Sequence, residues 1–267
     1  MRIIAIMNQK GGVGKTTTSV NVSAAIAESG ANVLLIDLDP QAHASLHLGL
    51  AFQKEFPSVY DVLVNDLELR EVRKQINDHL WLIPAHLDLA AADFELASVL
   101  GREMILRDKL KADDMKFDYI IIDCPPSLGV LTLNALTAAH EVFIPLQPHF
   151  LALHGLSKLL QTIDLVSRRL NNKLRITGVV LCMYEGSTTL AREVANDVSA
   201  FFEQERNTKT PWAHAKMFET RIRRNIRLAE APSFGKPIFD YDPHSNGAED
   251  YQALAREIMR QTVTDNG

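Results

Sequence analysis

The sequence predicts an α/β fold: a doubly wound, mainly parallel sheet with helices on both faces. Three observations carry that reading. Short apolar runs alternate with longer helical patterns, which is the sign of successive βαβ units. Several runs are nearly continuous Val, Ile and Leu, as expected of strands covered on both sides. The first run leads through a glycine-rich turn directly into a helical pattern.

The elements follow in order. Strands are expected at residues 3–7, 33–37, 80–84, 119–123, 142–146 and 177–183, where apolar runs are bounded by Asp, Pro or Gly. Helices are expected at 15–29, 87–99, 103–111, 155–170 and 188–203. A last helix at 248–261 places Tyr251, Leu254, Ala255, Ile258 and Met259 on one stripe, which reads as core packing. Its acidic flanks, Glu249, Asp250, Glu257 and Asp265, suit an anionic membrane poorly. Residues 207–242, punctuated by Pro211, Pro232 and Pro237, read as surface loops with one short helix.

At 267 residues the chain can bury a full core, and no repeat, low-complexity tract or linker divides it. One domain over residues 1–267 is expected. A net charge of −5 excludes a strongly basic nucleic-acid-binding chain, although it leaves room for a local patch. Cys124 and Cys182, the two cysteines, lie in apolar runs and read as buried thiols of a reducing compartment. The N-terminus lacks a signal-peptide pattern, and no apolar stretch is long enough to span a membrane, so a cytoplasmic location is expected.

Chemistry is concentrated where strands end. The first run continues into Lys10-Gly11-Gly12-Val13-Gly14-Lys15-Thr16-Thr17. Glycines let successive backbone N–H groups converge on phosphate oxygens, and the following helix adds the positive end of its dipole. Lys15 is expected on the β/γ-phosphates, and Thr16 on Mg²⁺. The standard loop has a glycine where this chain has Gln9, and Lys10 is a second lysine among the glycines. Two further strands end in acids, LLIDLDPQ and YIIIDCPP. In a parallel sheet the carboxyl ends of strands share one crevice, which collects Asp37, Asp39 and Asp123 around the γ-phosphate and its metal. Asp123 is expected to hold Mg²⁺ through a water, Asp37 to support the metal from further out, and Asp39 to orient the attacking water.

KGGVGKTTT, LLIDLDPQ and FDYIIIDCPPSLGVLTLNAL, in that order, together with residues 227–237 and Tyr241-Asp242-Pro243, closely resemble the ParA/Soj group of deviant Walker-A ATPases, related to MinD. The resemblance covers almost the whole chain. It implies a P-loop NTPase, an ATP-hydrolysing partition protein with ATP and Mg²⁺ as cofactors. It implies an ATP-dependent homodimer with two nucleotides at the interface, Lys10 reaching across to the partner's phosphates as an arginine finger would. It further implies binding of double-stranded DNA without sequence preference, slow hydrolysis stimulated by a ParB-like adaptor, and a nucleoid-associated location. A related reading within the group is an ATPase that positions a protein cargo, such as a carboxysome or chemosensory cluster. Electron-transfer ATPases of the nitrogenase iron-protein type share the fold, but neither Cys124 nor Cys182 is well placed for an interface cluster.

The group's Ile-Pro-Arg-Asn segment, which contacts the base, matches Ile222-Arg223-Arg224-Asn225. Asn225 thereby becomes an adenine contact, and Arg223 stands at the family's proline. Between Lys216 and Lys236 the chain carries six basic residues against Glu219 and Glu230. Arg221, Arg224, Arg227 and Lys236 from that stretch, with Arg192, are the expected DNA-backbone contacts.

Overall fold

The computed structural model describes residues 1–50, 56–149 and 152–261. Strands β1 (Arg2–Ile6), β2 (Val33–Asp37), β3 (Lys74–Gln75), β4 (Leu80–Ile83), β5 (Tyr119–Asp123), β6 (Glu141–Leu146), β7 (Arg175–Leu181) and β8 (Lys216–Met217) form one sheet. Its order is β3-β4-β2-β5-β1-β6-β7-β8. Each neighbouring pair is parallel except β3 with β4.

The long helices are α1 (Lys15–Glu28), α2 (Ile105–Ala112), α3 (Val130–Ala138), α4 (Ala152–Arg169), α5 (Thr189–Glu205) and α6 (Asn246–Arg260). They cover both faces because the strands are apolar on both. Along β5, Ile121 joins the core shared with α1 and α6, whereas Ile120 and Ile122 join the core shared with α2 to α5. On α6 Tyr251, Leu254, Ala255 and Ile258 are buried, so its stripe is core. Among the described residues no helix is long and apolar enough to cross a membrane.

The structure departs from the sequence expectations in places. The segment at 87–99 is a 3₁₀ turn, Leu87–Ala91, followed by one helical turn, Ala92–Glu95. Side chains there make tertiary contacts instead of extending a helix, since Asp93 accepts the Val130 N–H and Glu95 accepts the Tyr60 hydroxyl. Helix α3 has no expected counterpart. Its residues VLTLNALTA are buried nearly all round, which erases the amphipathic period by which a helix is recognised. Residues 207–242 contain β8, two short helices (Ile226–Glu230 and Ile238–Tyr241) and a 3₁₀ turn, Ala231–Phe234, where one short helix was expected.

Candidate nucleotide-binding site

Because β1, β2 and β5 are parallel neighbours, their carboxyl ends open on the same edge. Asp37 of β2 is in register with Asp123 of β5, and Asp123 with Ile6 of β1, immediately before the glycine loop. The loop is held from within. Asn8, at its root, donates from Nδ2 to the Pro145 carbonyl at 2.8 Å, and its Oδ1 accepts the Lys10 N–H at 3.0 Å. Gly12 and Gly14 have φ of +73° and +92°, a region that favours glycine, and Gly14 starts α1 without a side-chain cap. Open space surrounds the Cβ positions of Gly11 and Gly12. The loop therefore presents bare backbone and an uncapped helix N-terminus to the crevice, the arrangement that receives an anion.

Lys15 is 7% exposed, and its ammonium donates to the Lys10 carbonyl at 3.2 Å. Burial lowers its pKa, while the charges of Asp123 and Asp39 oppose that shift. Thr16 and Thr17 are half-buried on the first turn, Val13 is buried, and Lys10 is exposed.

Asp123 is wholly buried. Its Oδ1 accepts Ser19 Oγ at 2.8 Å, whereas Oδ2 has no hydrogen-bond partner among the described residues. Burial, followed by the charge of Asp37, pushes its pKa up to about 7, against the opposing effect of the Ser19 and Thr16 hydroxyls. An enclosed carboxyl with one idle oxygen, facing a lysine and a bare helix terminus, fits a Mg²⁺-bound phosphate ligand well.

Asp37 is used differently. Its Oδ2 accepts both the N–H and Oγ of Ser45 at 2.8 Å, and Oδ1 accepts the Asp39 N–H at 3.2 Å. Burial raises its pKa to about 6 in spite of those donors. The carboxyl thus fastens the short helix His43–His47 and the Asp39 backbone beneath the crevice. Asp39 is 8% exposed, and its Oδ1 accepts the Gln41 N–H at 2.9 Å.

In the segment matched to the base, the Arg223 side chain is committed within the chain. The Arg223 guanidinium turns away to α6, where Nε and a terminal nitrogen bind Asp250 and the same nitrogen reaches Glu249. The Arg223 N–H also donates to Asp250 at 2.8 Å. These carboxylates raise the arginine pKa. Glu257, further along α6, accepts the Glu219 and Thr220 N–H groups. Arg223 is therefore a fastening for the loop, and its main-chain carbonyl is the group left for a ligand. Asn225 caps the helix Ile226–Glu230 by accepting the Arg227 N–H at 2.8 Å, so its Oδ1 is engaged and its NH₂ remains.

The basic residues divide into groups. Arg192 and Arg221 line one depression with Tyr184, Gly186 and Asn196. Arg221 stacks over the Tyr184 ring and donates to its hydroxyl at 2.7 Å. Arg224 is exposed and pairs with Glu185 in the adjoining turn. Arg227 is paired with Glu230 and Asp242, and Lys236 follows the 3₁₀ turn that packs on the helix His43–His47. The structure does not join these last two to the Arg192–Arg221 depression.

Sequence reasoning missed Asn8, Ser19, Ser45, Asp250 and Glu257. Ser19 had a signal, since it lies one helical turn after Lys15 on the same face. Asp250, Glu257 and the Asn8–Pro145 bond act across long sequence separations, and Ser45 meets Asp37 across a turn that leaves no periodic pattern. Cys124 and Cys182 are free and buried, and burial pushes the Cys182 thiol up to about 12.

A strand, a bare glycine loop and helix, and buried acids on adjacent strand ends define a phosphate-binding-loop nucleotide protein. Comparison with known proteins agrees. A family model described as an AAA domain matches residues 1–176. The sporulation initiation inhibitor protein Soj of Bacillus subtilis is 48% identical over 96% of this chain and 98% of its own. The chromosome partitioning protein ParA of Myxococcus xanthus is 45% identical over 97% of this chain and 88% of its own. Among solved structures, a cobyrinic acid a,c-diamide synthase from Mycobacterium smegmatis, with bound ATP analogue and magnesium, superposes with a TM-score of 0.81. It is 37% identical and covers 97% of this chain and 95% of its own. The Pyrococcus furiosus cell division ATPase MinD is 27% identical with a TM-score of 0.76, over 97% of this chain and 98% of its own. The chain belongs to the ParA/Soj family of deviant Walker-A partitioning ATPases.

Proposed function

We propose that this chain, as one domain, is an ATP-hydrolysing partition protein of the cytoplasm and nucleoid that segregates chromosome or plasmid DNA. In this reading it closes into an ATP-dependent sandwich dimer and binds double-stranded DNA without sequence preference. A ParB-like adaptor stimulates hydrolysis and releases it. The observation that carries the reading is the division of labour between two lysines: Lys15 is buried against the acids, whereas Lys10 is exposed at the loop tip with no acid partner among the described residues.

ATP with Mg²⁺ supplies the transferable phosphoryl group and the cation that neutralises it. Gly11, Gly12, Val13, Gly14, Lys15, Thr16 and Thr17 would hold the phosphates, and Asn225 with the Arg223 main chain would hold the base. Thr16 and Asp123 would hold the metal, the latter through water, using its idle oxygen. Asp39 would orient the attacking water, while Asp37 fixes the Asp39 backbone through the N–H bond at 3.2 Å. Lys10 serves the partner's phosphates once the dimer forms. Arg192, Arg221 and Arg224, contiguous around the Tyr184–Gly186 turn, suit contacts to DNA phosphates. The names of relatives 44–45% identical over nearly the whole chain, chromosome partitioning proteins, favour chromosome partitioning over a protein cargo.

The test is phosphate release by the purified protein with ATP, Mg²⁺, duplex DNA and an adaptor of ParB type. Stimulated release is expected, and Asp39→Ala is expected to bind ATP and remain on DNA without turnover. ATP binding with no release under any condition would leave a binding module in place of an enzyme.

A further inference from the structure

Two segments assigned to opposite ends of the nucleotide meet in one backbone contact. The first runs from Asp39 to Gly49. Asp37 holds it by accepting the Asp39 N–H and both the N–H and Oγ of Ser45. The second, residues 222–236, carries Arg224 and Asn225 and continues through the helix Ile226–Glu230 directly into the 3₁₀ turn Ala231–Phe234.

The two touch at Gly49 and Gly235, whose φ angles are +82° and +64°. A Cβ on Gly235 would lie 2.8 Å from the Gly49 Cα, and one on Gly49 would lie 3.2 Å from the Gly235 carbonyl oxygen. No side chain therefore separates the two turns, and neither can move toward the other without collision. Beside the contact, His47 is 1% exposed, and its Nε2 has no hydrogen-bond partner among the described residues. Burial lowers the imidazole pKa to about 4, against a hydrogen bond to the Lys236 main chain. A neutral ring thus ties the last residue of the helix His43–His47 to the residue after Gly235. An apolar side chain would fill that place without an idle nitrogen, so packing alone does not account for a histidine there.

The second segment is braced as a unit. Arg227 pairs with Glu230 and Asp242, the Tyr241 hydroxyl donates to Glu230, and the Ile238 N–H donates to Asn21 Oδ1 of α1 at 2.8 Å. A shift received at Gly235 and Lys236 is therefore passed along the helix to its cap, Asn225, and to Arg224 beside it.

We propose that the Gly49–Gly235 contact and the His47–Lys236 bond form the joint through which the γ-phosphate sets residues 222–236 and so gates DNA binding. The proposal rests on the reading above and names the regulation of that same site. Asp39 is the group assigned to the γ-phosphate end, which ADP lacks, so the difference between the two nucleotides enters there. His47 and Gly235 touch neither nucleotide nor DNA in this scheme and are positioning residues.

The experiment compares ADP with a non-hydrolysable ATP analogue, following backbone amide exchange and duplex DNA affinity. The proteins are wild type, His47→Leu and Gly235→Ala, with ADP affinity and Tm as checks of folding. His47→Leu keeps the space filled should Gly235→Ala fold poorly. In wild type the analogue is expected to slow exchange in residues 43–49 and 226–236 alike, by about fivefold or more relative to ADP. In His47→Leu the slowing should persist at 43–49 and be lost at 226–236, and the preference of DNA binding for the analogue should fall by a similar factor. Lys10→Ala, run beside wild type, is expected to keep both responses; their loss there would assign the protection to a partner copy and overturn the joint. Retention of the 226–236 response in His47→Leu would overturn it too, as would a DNA preference that survives the loss of that response, or a wild type in which only 43–49 responds. If the segments respond together and uncouple in the variants while DNA binding is the same with either nucleotide, the ATP-gated DNA binding proposed above falls and the coupling of the two segments stands.

Discussion

Ser19 Oγ donates to Asp123 Oδ1 at 2.8 Å, while Oδ2 of that buried carboxyl has no hydrogen-bond partner among the described residues. Ser19 in turn lies one turn beyond Lys15, to whose carbonyl it also donates at 3.0 Å. The bond favours the ionised acid, which is the form a metal-bound water needs. Ser19→Ala is expected to raise the Asp123 pKa further and to weaken Mg²⁺-dependent ATP binding at pH 7 by about tenfold, since a hydrogen bond to a charged group is worth about 1.5–3 kcal/mol. Titrating Mg²⁺ at fixed ATP, with Ser19→Thr as the retained hydroxyl, measures the effect.

The same carboxyl gives the protein a pH dependence. Asp37 and Asp123 are register partners on β2 and β5, both fully buried, and both are shifted upward. The folded state then holds protons that the unfolded chain, with an aspartate pKa of about 3.9, has already released. The proton count is higher in the folded state between the two pKa values, so stability falls as pH rises through that window. Without nucleotide, wild-type Tm is expected to drop more between pH 5 and pH 7.5 than that of Asp123→Asn, by a few degrees. A bound magnesium nucleotide should reduce the difference, because a nearby cation favours the carboxylate. Thermal melts of both proteins at the two pH values check the sign.

What could be read in advance was what is local. The strand ends Asp37 and Asp123, the turn of Gly11 to Gly14 and the helix from Lys15 are contiguous patterns, and the structure brings them to one edge. Helix α3 escaped because burial on all sides leaves it without a polar face, and β3 and β8 because two residues carry no period. The partners of Arg223 and Asp37 could not be seen either. Asp250 lies twenty-seven residues after Arg223, and Ser45 reaches Asp37 only because the chain turns at Ala42, whose φ is +53°.

Arg223 illustrates how such a distant partner bears on the nucleotide. Arg223 supplies a main-chain N–H that a proline at this position would lack, and Asp250 accepts it. Asp250→Ala removes the acceptor for both that N–H and the guanidinium, freeing the segment that leads to Asn225. The KM for ATP is expected to rise severalfold while kcat holds, with stability lowered by about 1–3 kcal/mol for the lost buried acceptor. Discrimination between ATP and GTP should fall with it. Steady-state kinetics with both nucleotides, beside a denaturant melt, separates loss of base recognition from general loosening.

Lys10 yields the sharpest test of the dimer, because a group acting in trans can be complemented. Its backbone N–H is tied to Asn8 Oδ1 at 3.0 Å while its side chain is exposed, so substitution should spare the loop. Lys10→Ala is expected to bind ATP normally and to lose at least a hundredfold of adaptor-stimulated turnover, as removal of a trans-acting cation does elsewhere. Asp39→Ala alone is expected to be equally inactive. In an equal mixture half the dimers pair one of each, and such a dimer contains one site with an intact Asp39 and an intact Lys10 from the partner. Turnover should therefore return to about a quarter of the wild-type rate on mixing. If Lys10 served its own protomer, every site in the mixture would lack one group or the other, and mixing would restore nothing.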